Sequence, residues 1–182
     1  MWPFVDERSF WIWAADPYAE LADQDEDILL HDPAGLTFLL DAAEESSCPK
    51  QRYCANVLRD YSRRIVGWQL SDAYSALDAA AARASTSHDA WVRRWAEYVA
   101  RLFSYLSDVG PVNRARAEQM AADLLIGPAE RLNVRVAPGG KYWQCAEPDS
   151  YPTYLYIDRR TGAYRMTCSA PTTDIILASA SE

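Results

Sequence analysis

Between Pro49 and Trp68 the apolar side chains Tyr53, Cys54, Val57, Leu58, Tyr61, Ile65 and Trp68 return every three or four residues, with Arg52, Arg59, Arg63 and Arg64 mainly on other sides. That period is one face of an amphipathic helix. The same period runs through "SHDAWVRRWAEYVARLFSYLSDVG", where Trp91, Trp95, Tyr98, Val99, Leu102 and Leu106 form one stripe, with Ser87 as its cap and Gly110-Pro111 as its stop. Asp32 and Pro33 open a helix over Pro33 to Glu45, with Leu36, Leu39 and Leu40 on one face. An alanine-rich run after Ser71 predicts a fourth helix that permits close approach, and Val112 to Ile126, closed by Gly127-Pro128, a further one.

Beyond Pro128 the period falls to two. "NVRVAP", "KYWQCA", "TYLYIDRRTGAYRMTC" and "TDIILAS" alternate and are separated by Gly or Pro turns, which predicts an antiparallel meander of four or five strands. Gly162 in "DRRTG" supplies the left-handed residue that closes a hairpin. At the other end, Phe10 to Trp13 is short, aromatic and bounded by turn formers, so it predicts a strand able to join the sheet. The expected fold is α+β in one domain over 1–182: an N-terminal strand, four to five helices in a helical part at about 33–126, and a β part at about 132–178.

At 182 residues with 49% hydrophobic composition, the chain can bury a sizeable core without disulfides or metals. Asp6 and Glu7 stand where a secretory signal needs basic residues, and no stretch approaches 18 apolar residues, so a cytoplasmic location without membrane contact is expected. Cys48, Cys54, Cys145 and Cys168 form no C-x-x-C pair and predict free, mostly buried thiols, a Cys145–Cys168 bridge being the alternative in an oxidising compartment.

The net charge is −8, but it is unevenly spread: residues 1 to 45 carry twelve acids against Arg8 alone. An acidic protein disfavours nucleic acid as its main ligand, because phosphate neutralisation dominates that affinity. The densest stretch is "DQDEDILLHD". Asp23, Asp25 and Asp27 fit positions 1, 3 and 5 of a calcium loop, yet Ile28 stands where that loop needs glycine and Ala34 where it needs a bidentate glutamate. Calcium is therefore not expected, nor any cofactor. A solvated loop and an acidic contact surface remain, and a one-signed patch can speed association with a basic partner. The expected contact set is Asp16, Glu20, Asp23, Asp25, Glu26 and Asp27, extended by Glu44 and Glu45, with Tyr18, Leu21, Leu29 and Leu30 as apolar anchors. Trp2, Trp11 and Trp13 are either core or interface residues.

His31 and His88 each stand beside a predicted helix start, outside any metal-ligand spacing, and a Cys-His nucleophilic site on Cys48 or Cys54 lacks an identifiable third group. Asp60 and Arg64 predict an i,i+4 pair on a solvated face. No phosphate-binding or nucleophile-elbow motif occurs; "PGGKY" leads into a strand. Sixteen arginines against two lysines suit a high-GC bacterial genome. The expectation is a non-catalytic protein-binding module, a bacterial immunity or antitoxin-type inhibitor that occludes a basic toxin domain. The alternatives are an acidic secretion chaperone or adaptor, and an enzyme of unrecognised type.

Overall fold

In a computed structural model the structure describes residues 6–19, 33–107, 110–125, 131–146 and 153–168. These residues fall into two compact units divided after Leu102, which lies inside a helix.

The first unit begins with a helix where the sequence predicts a strand. Phe10 to Trp13 is not a strand but the middle of helix α1 (Glu7–Ala15). Asp6 caps it: its carboxylate accepts from the Ser9 amide at 2.8 Å, and the Ser9 hydroxyl accepts from the Asp6 amide at 3.1 Å. This reciprocal cap satisfies two amides that a short helix would otherwise leave unpaired. Phe10, Trp13 and Ala14 are buried at helical spacing, whereas Ile12 points out. The Phe10 ring stacks on Phe38 at 5.6 Å and Trp13 meets Tyr53 edge-on at 5.5 Å, so α1 is held by packing against the two helices that follow.

Those helices are α2 (Pro33–Glu44) and α3 (Gln51–Gly67). Leu36, Leu39 and Leu40 of α2 and Cys54, Val57, Leu58, Tyr61 and Ile65 of α3 are buried as the stripes read from the sequence require, whereas Tyr53 is half-buried and Trp68, just past the helix end, is exposed. The end of α3 comes from backbone geometry. The Leu70 amide donates to the Ile65 carbonyl at 2.9 Å and the Gln69 amide to Val66 at 3.1 Å, while Gln69 takes φ +54°. That is a six-to-one, five-to-two closure in which glycine is the usual left-handed residue. Gln69→Gly is expected to raise stability by up to about 1 kcal/mol, read as a higher urea midpoint, because a side chain at this φ is strained. An unchanged or lower midpoint would mean that glycine's greater freedom in the unfolded chain outweighs the relief.

A short 3₁₀ turn (Ser71–Ala73) leads into α4 (Tyr74–Ala84), and α5 (Ala90–Ser107) begins in the first unit. Ser87 is not the cap of α5. Asp89 is, accepting from the Trp91 and Val92 amides at 2.7 and 2.9 Å, with Ser87 accepting from the Asp89 amide behind it. Trp95, Tyr98, Val99 and Leu102 are buried as the stripe requires, Trp91 is half-buried, and Leu106 near the end is exposed.

The second unit holds the end of α5, helix α6 (Arg114–Leu124) and four strands: β1 (Asn133–Val136), β2 (Tyr142–Ala146), β3 (Tyr154–Asp158) and β4 (Tyr164–Thr167). The sheet is an antiparallel meander in the order β1-β2-β3-β4. The α+β class and the C-terminal meander therefore stand. The described helices number six against the four to five expected, and α1 is the helix that was read as a strand. The segment "TDIILAS" lies outside the described residues.

Asn113 caps α6 by accepting from the Arg116 amide at 2.9 Å. Its buried Ala117, Met120, Ala121 and Leu124 cover β1 to β3. The facing strand residues Val134, Trp143, Cys145, Leu155, Ile157, Tyr164 and Met166 are all buried, at alternate positions along the strands, while Val136 at the end of β1 is exposed. At the β3–β4 turn Gly162 takes φ +80°, as the hairpin demands. Asp158 closes that turn by accepting from the Arg160 and Thr161 amides at 2.8 and 3.0 Å. Burial works to raise the Asp158 carboxyl, but these amides outweigh it and hold it below the usual value.

Candidate functional site

Of the six acids expected to form a contact surface, the structure describes Asp16; Glu20, Asp23, Asp25, Glu26 and Asp27 lie outside the described residues. The approach to that stretch is well defined. Asp16 ends α1 and turns the chain by accepting from the Tyr18 amide at 2.9 Å. Lys50, itself buried, lies 4.9 Å from the Trp13 ring centre and donates to the Ala19 carbonyl at 2.5 Å. These bonds fix the backbone one residue before Glu20. Two apolar side chains stand outward here: Tyr18 is 90% exposed and Ile12 64%. Trp13 is core and Trp11 half-buried; Trp2 lies outside the described residues.

The expected extension to Glu44 and Glu45 changes in meaning. Arg83 reaches from α4 to both Asp41 and Glu44 of α2, at 2.8 Å to the latter, so one guanidinium holds both half-exposed carboxylates and offsets one of their two charges. The exposed Glu45 is held below the usual carboxylate range by the Ser47 hydroxyl and amide, at 2.7 and 2.9 Å, and keeps its charge.

The arginines read on the outer sides of α3 are also partly engaged within the fold. Asp60 pairs with Arg63 at 2.6 Å, one position short of the expected Arg64. Arg59 and Arg101 both lie 5.4 Å from the Tyr98 ring centre, so their guanidinium groups cover a buried aromatic instead of standing free. The thiols are free: Cys48, Cys54 and Cys145 are buried and Cys168 is exposed, without the alternative Cys145–Cys168 bridge. Burial, helped by the neighbouring Cys48, pushes the Cys54 thiol up to about 12, and burial with Glu118 pushes Cys145 up to about 12. Both are held as neutral thiols, the opposite of what nucleophilic work asks of a cysteine. His88 is exposed at the start of α5, and His31 lies outside the described residues. Among the described residues no cluster of three metal-ligating side chains occurs, and no helix is long and apolar enough to cross a membrane.

The second unit carries polar groups that the sequence reading did not single out. An open cleft of about 610 Å³ is lined by Tyr105, Gly110, Val112, Arg116 and Met120 among others. Arg116 lies 4.7 Å over the Tyr105 ring, and the Tyr105 hydroxyl donates to the buried Asp123 at 2.5 Å, which also accepts from Gln119 at 3.1 Å. On the sheet, the face away from α6 places Arg135, Gln144, Tyr156 and Arg165 directly opposite one another on four successive strands. Arg135 Nε donates to Gln144 Oε1 at 3.0 Å, and Gln144 Nε2 donates to the Tyr156 hydroxyl at 2.9 Å. The signal was the alternation itself, which sets these residues on the side opposite the apolar ones; what it lacks is the register across strands. No family model, no characterised protein and no solved structure is similar enough to this chain to register as a match.

Proposed function

We propose that the chain is a cytoplasmic protein-binding module whose acidic N-terminal quarter engages a basic partner, and that this partner is a toxin domain which it occludes in the manner of a bacterial immunity protein. The observation that carries the reading is the charge distribution: twelve acids against Arg8 in residues 1 to 45. A surface of one sign steers an oppositely charged partner and fixes its register, but affinity needs apolar contacts that lose water. The exposed Ile12 and Tyr18, at the entrance to the acidic stretch, are suited to supply them. Block would be steric and electrostatic, without catalysis. A folded basic domain as the captured species favours this reading, and an unfolded export segment favours the chaperone.

The test is a variant with Asp23, Asp25 and Asp27 changed to Asn and Glu26 to Gln, compared with the parent against the partner captured from the source organism. The association rate should fall by about 10-fold or more at low salt, and its dependence on salt should flatten. Circular dichroism should stay unchanged. Association kinetics equal to the parent's at low and high salt would remove the acidic segment from the interface.

A further inference from the structure

The row Arg135, Gln144, Tyr156, Arg165 has a direction. Arginine carries donors only, so the Arg135 Nε bond identifies the Gln144 atom it meets as the carbonyl oxygen. The other end of that amide is then NH₂, and it donates to the Tyr156 hydroxyl. A hydroxyl that accepts this bond still has its own hydrogen to give. Among the described residues nothing accepts it, although Tyr156 and Gln144 are each only 6% exposed. Buried polar groups are as a rule fully bonded, so this hydrogen is available to an acceptor that approaches the face.

What surrounds that donor is positive. Arg165 is directly opposite Tyr156 on β4, exposed, and without a hydrogen-bond partner among the described residues. Arg135, also exposed, has its Nε committed to Gln144, so its two terminal nitrogens are held in place beforehand. Tyr154 stacks on Tyr156 at 6.3 Å and braces the ring. The acid on the same face is Asp158, two residues along β3, and its carboxylate is occupied by the turn amides, with Lys141 at 3.9 Å. Four strands set about 4.8 Å apart place the two arginines about 14 Å apart at the backbone, within reach of one anion over Tyr156 from either side.

We propose that this face of the sheet binds the phosphate group of a small phosphorylated molecule, through the Arg135 and Arg165 guanidinium groups and the Tyr156 hydroxyl. A carboxylate has one charge and two oxygens, which one guanidinium fork fills. A phosphate dianion matches two cations and a third donor approaching from different sides. The inference is independent of the acidic-face reading, since it lies in the second unit and uses none of the same residues.

Titration of the full chain with inorganic phosphate at fixed ionic strength, followed by side-chain NMR, tests it. The Gln144 amide and Arg135 Nε–H signals should shift saturably, with a millimolar or tighter midpoint, and acetate at the same ionic strength should leave them in place. Arg165→Gln, at an exposed position, should weaken binding by about tenfold or more, and Tyr156→Phe by a similar factor. Should Tyr156→Phe fail to fold because it strands the Gln144 amide, the Arg165 variant decides alone. Equal responses to phosphate and acetate, a midpoint indifferent to Arg165→Gln, or binding of single-stranded RNA without binding of phosphate would each overturn the proposal.

Discussion

Replacing Trp95 with alanine is expected to destabilise the protein by about 3 to 5 kcal/mol, measured as the loss in unfolding free energy in chemical denaturation. Trp95 is 3% exposed, on the buried stripe of α5, and its indole Nε1 donates to the Ser62 hydroxyl at 3.0 Å and to the Leu58 carbonyl at 3.3 Å, both on α3. Removing the ring leaves a large void in a close-packed interior, and this term dominates. The polar part is smaller, because Ser62 still donates to the Leu58 carbonyl at 2.7 Å and loses only the proton it accepted. Trp95→Phe separates the two. It keeps most of the volume and drops the N–H, so it should cost no more than about 1 to 2 kcal/mol. A loss below about 1 kcal/mol for alanine would mean that the stripe does not pack as described.

This prediction could be framed from the sequence because α5 is long. Eighteen residues repeat the apolar period several times, so Trp95, Tyr98, Val99 and Leu102 identify themselves, and the reading fails only at Leu106, close to the helix end. Helix α1 is the contrary case. Its nine residues contain about two and a half turns, and "FWIW" is rich in side chains that favour strands. The decisive signals were the Asp6–Ser9 pair and the spacing of Phe10, Trp13 and Ala14, and both are weak until Phe38 and Tyr53 are in place to receive the rings. Local propensity lost to tertiary packing. Gly162 shows the reverse: a turn that needs a left-handed residue four positions after Asp158 is specified locally, and the structure keeps it.

The two candidate sites differ in the same way. Net charge along a chain is one-dimensional, so the acidic quarter is visible without a fold, while the assignment of Glu44 to Arg83 and of Glu45 to Ser47 is not, because it needs the distance between α2 and α4 or the form of a turn. The row on the sheet is two-dimensional. Alternation shows that Arg135, Gln144, Tyr156 and Arg165 avoid the apolar face, but only the register of three strand pairs sets them in line. A slip of one residue in any pair would break the row and turn one strand's side chains over.

Stability should also fall steeply in alkali, for a reason specific to two thiols. Cys54 and Cys145 ionise near the ordinary 9.0 when the chain is unfolded and at about 12 in the native state, chiefly because burial disfavours the thiolate. Between those limits the unfolded chain gives up protons that the native protein keeps, so its free energy falls relative to the native state. The stabilisation is fully present below pH 9 and is lost as the pH rises toward 12. Each thiol adds a slope of about 1.4 kcal/mol per pH unit, on the order of 4 kcal/mol over the window. Tyr74 and Tyr156, both raised by burial, add to the same trend, so the thiol share needs its own control. A Cys54→Ala, Cys145→Ala double variant should be less stable than the parent at pH 7, since each change leaves a small cavity. Its stability should then decline more slowly above pH 9, and the gap between the two proteins should narrow as the pH approaches 12. Denaturation midpoints at intervals from pH 7 to 11 measure both curves, and parallel curves would show that neither thiol is held in its neutral form by the fold.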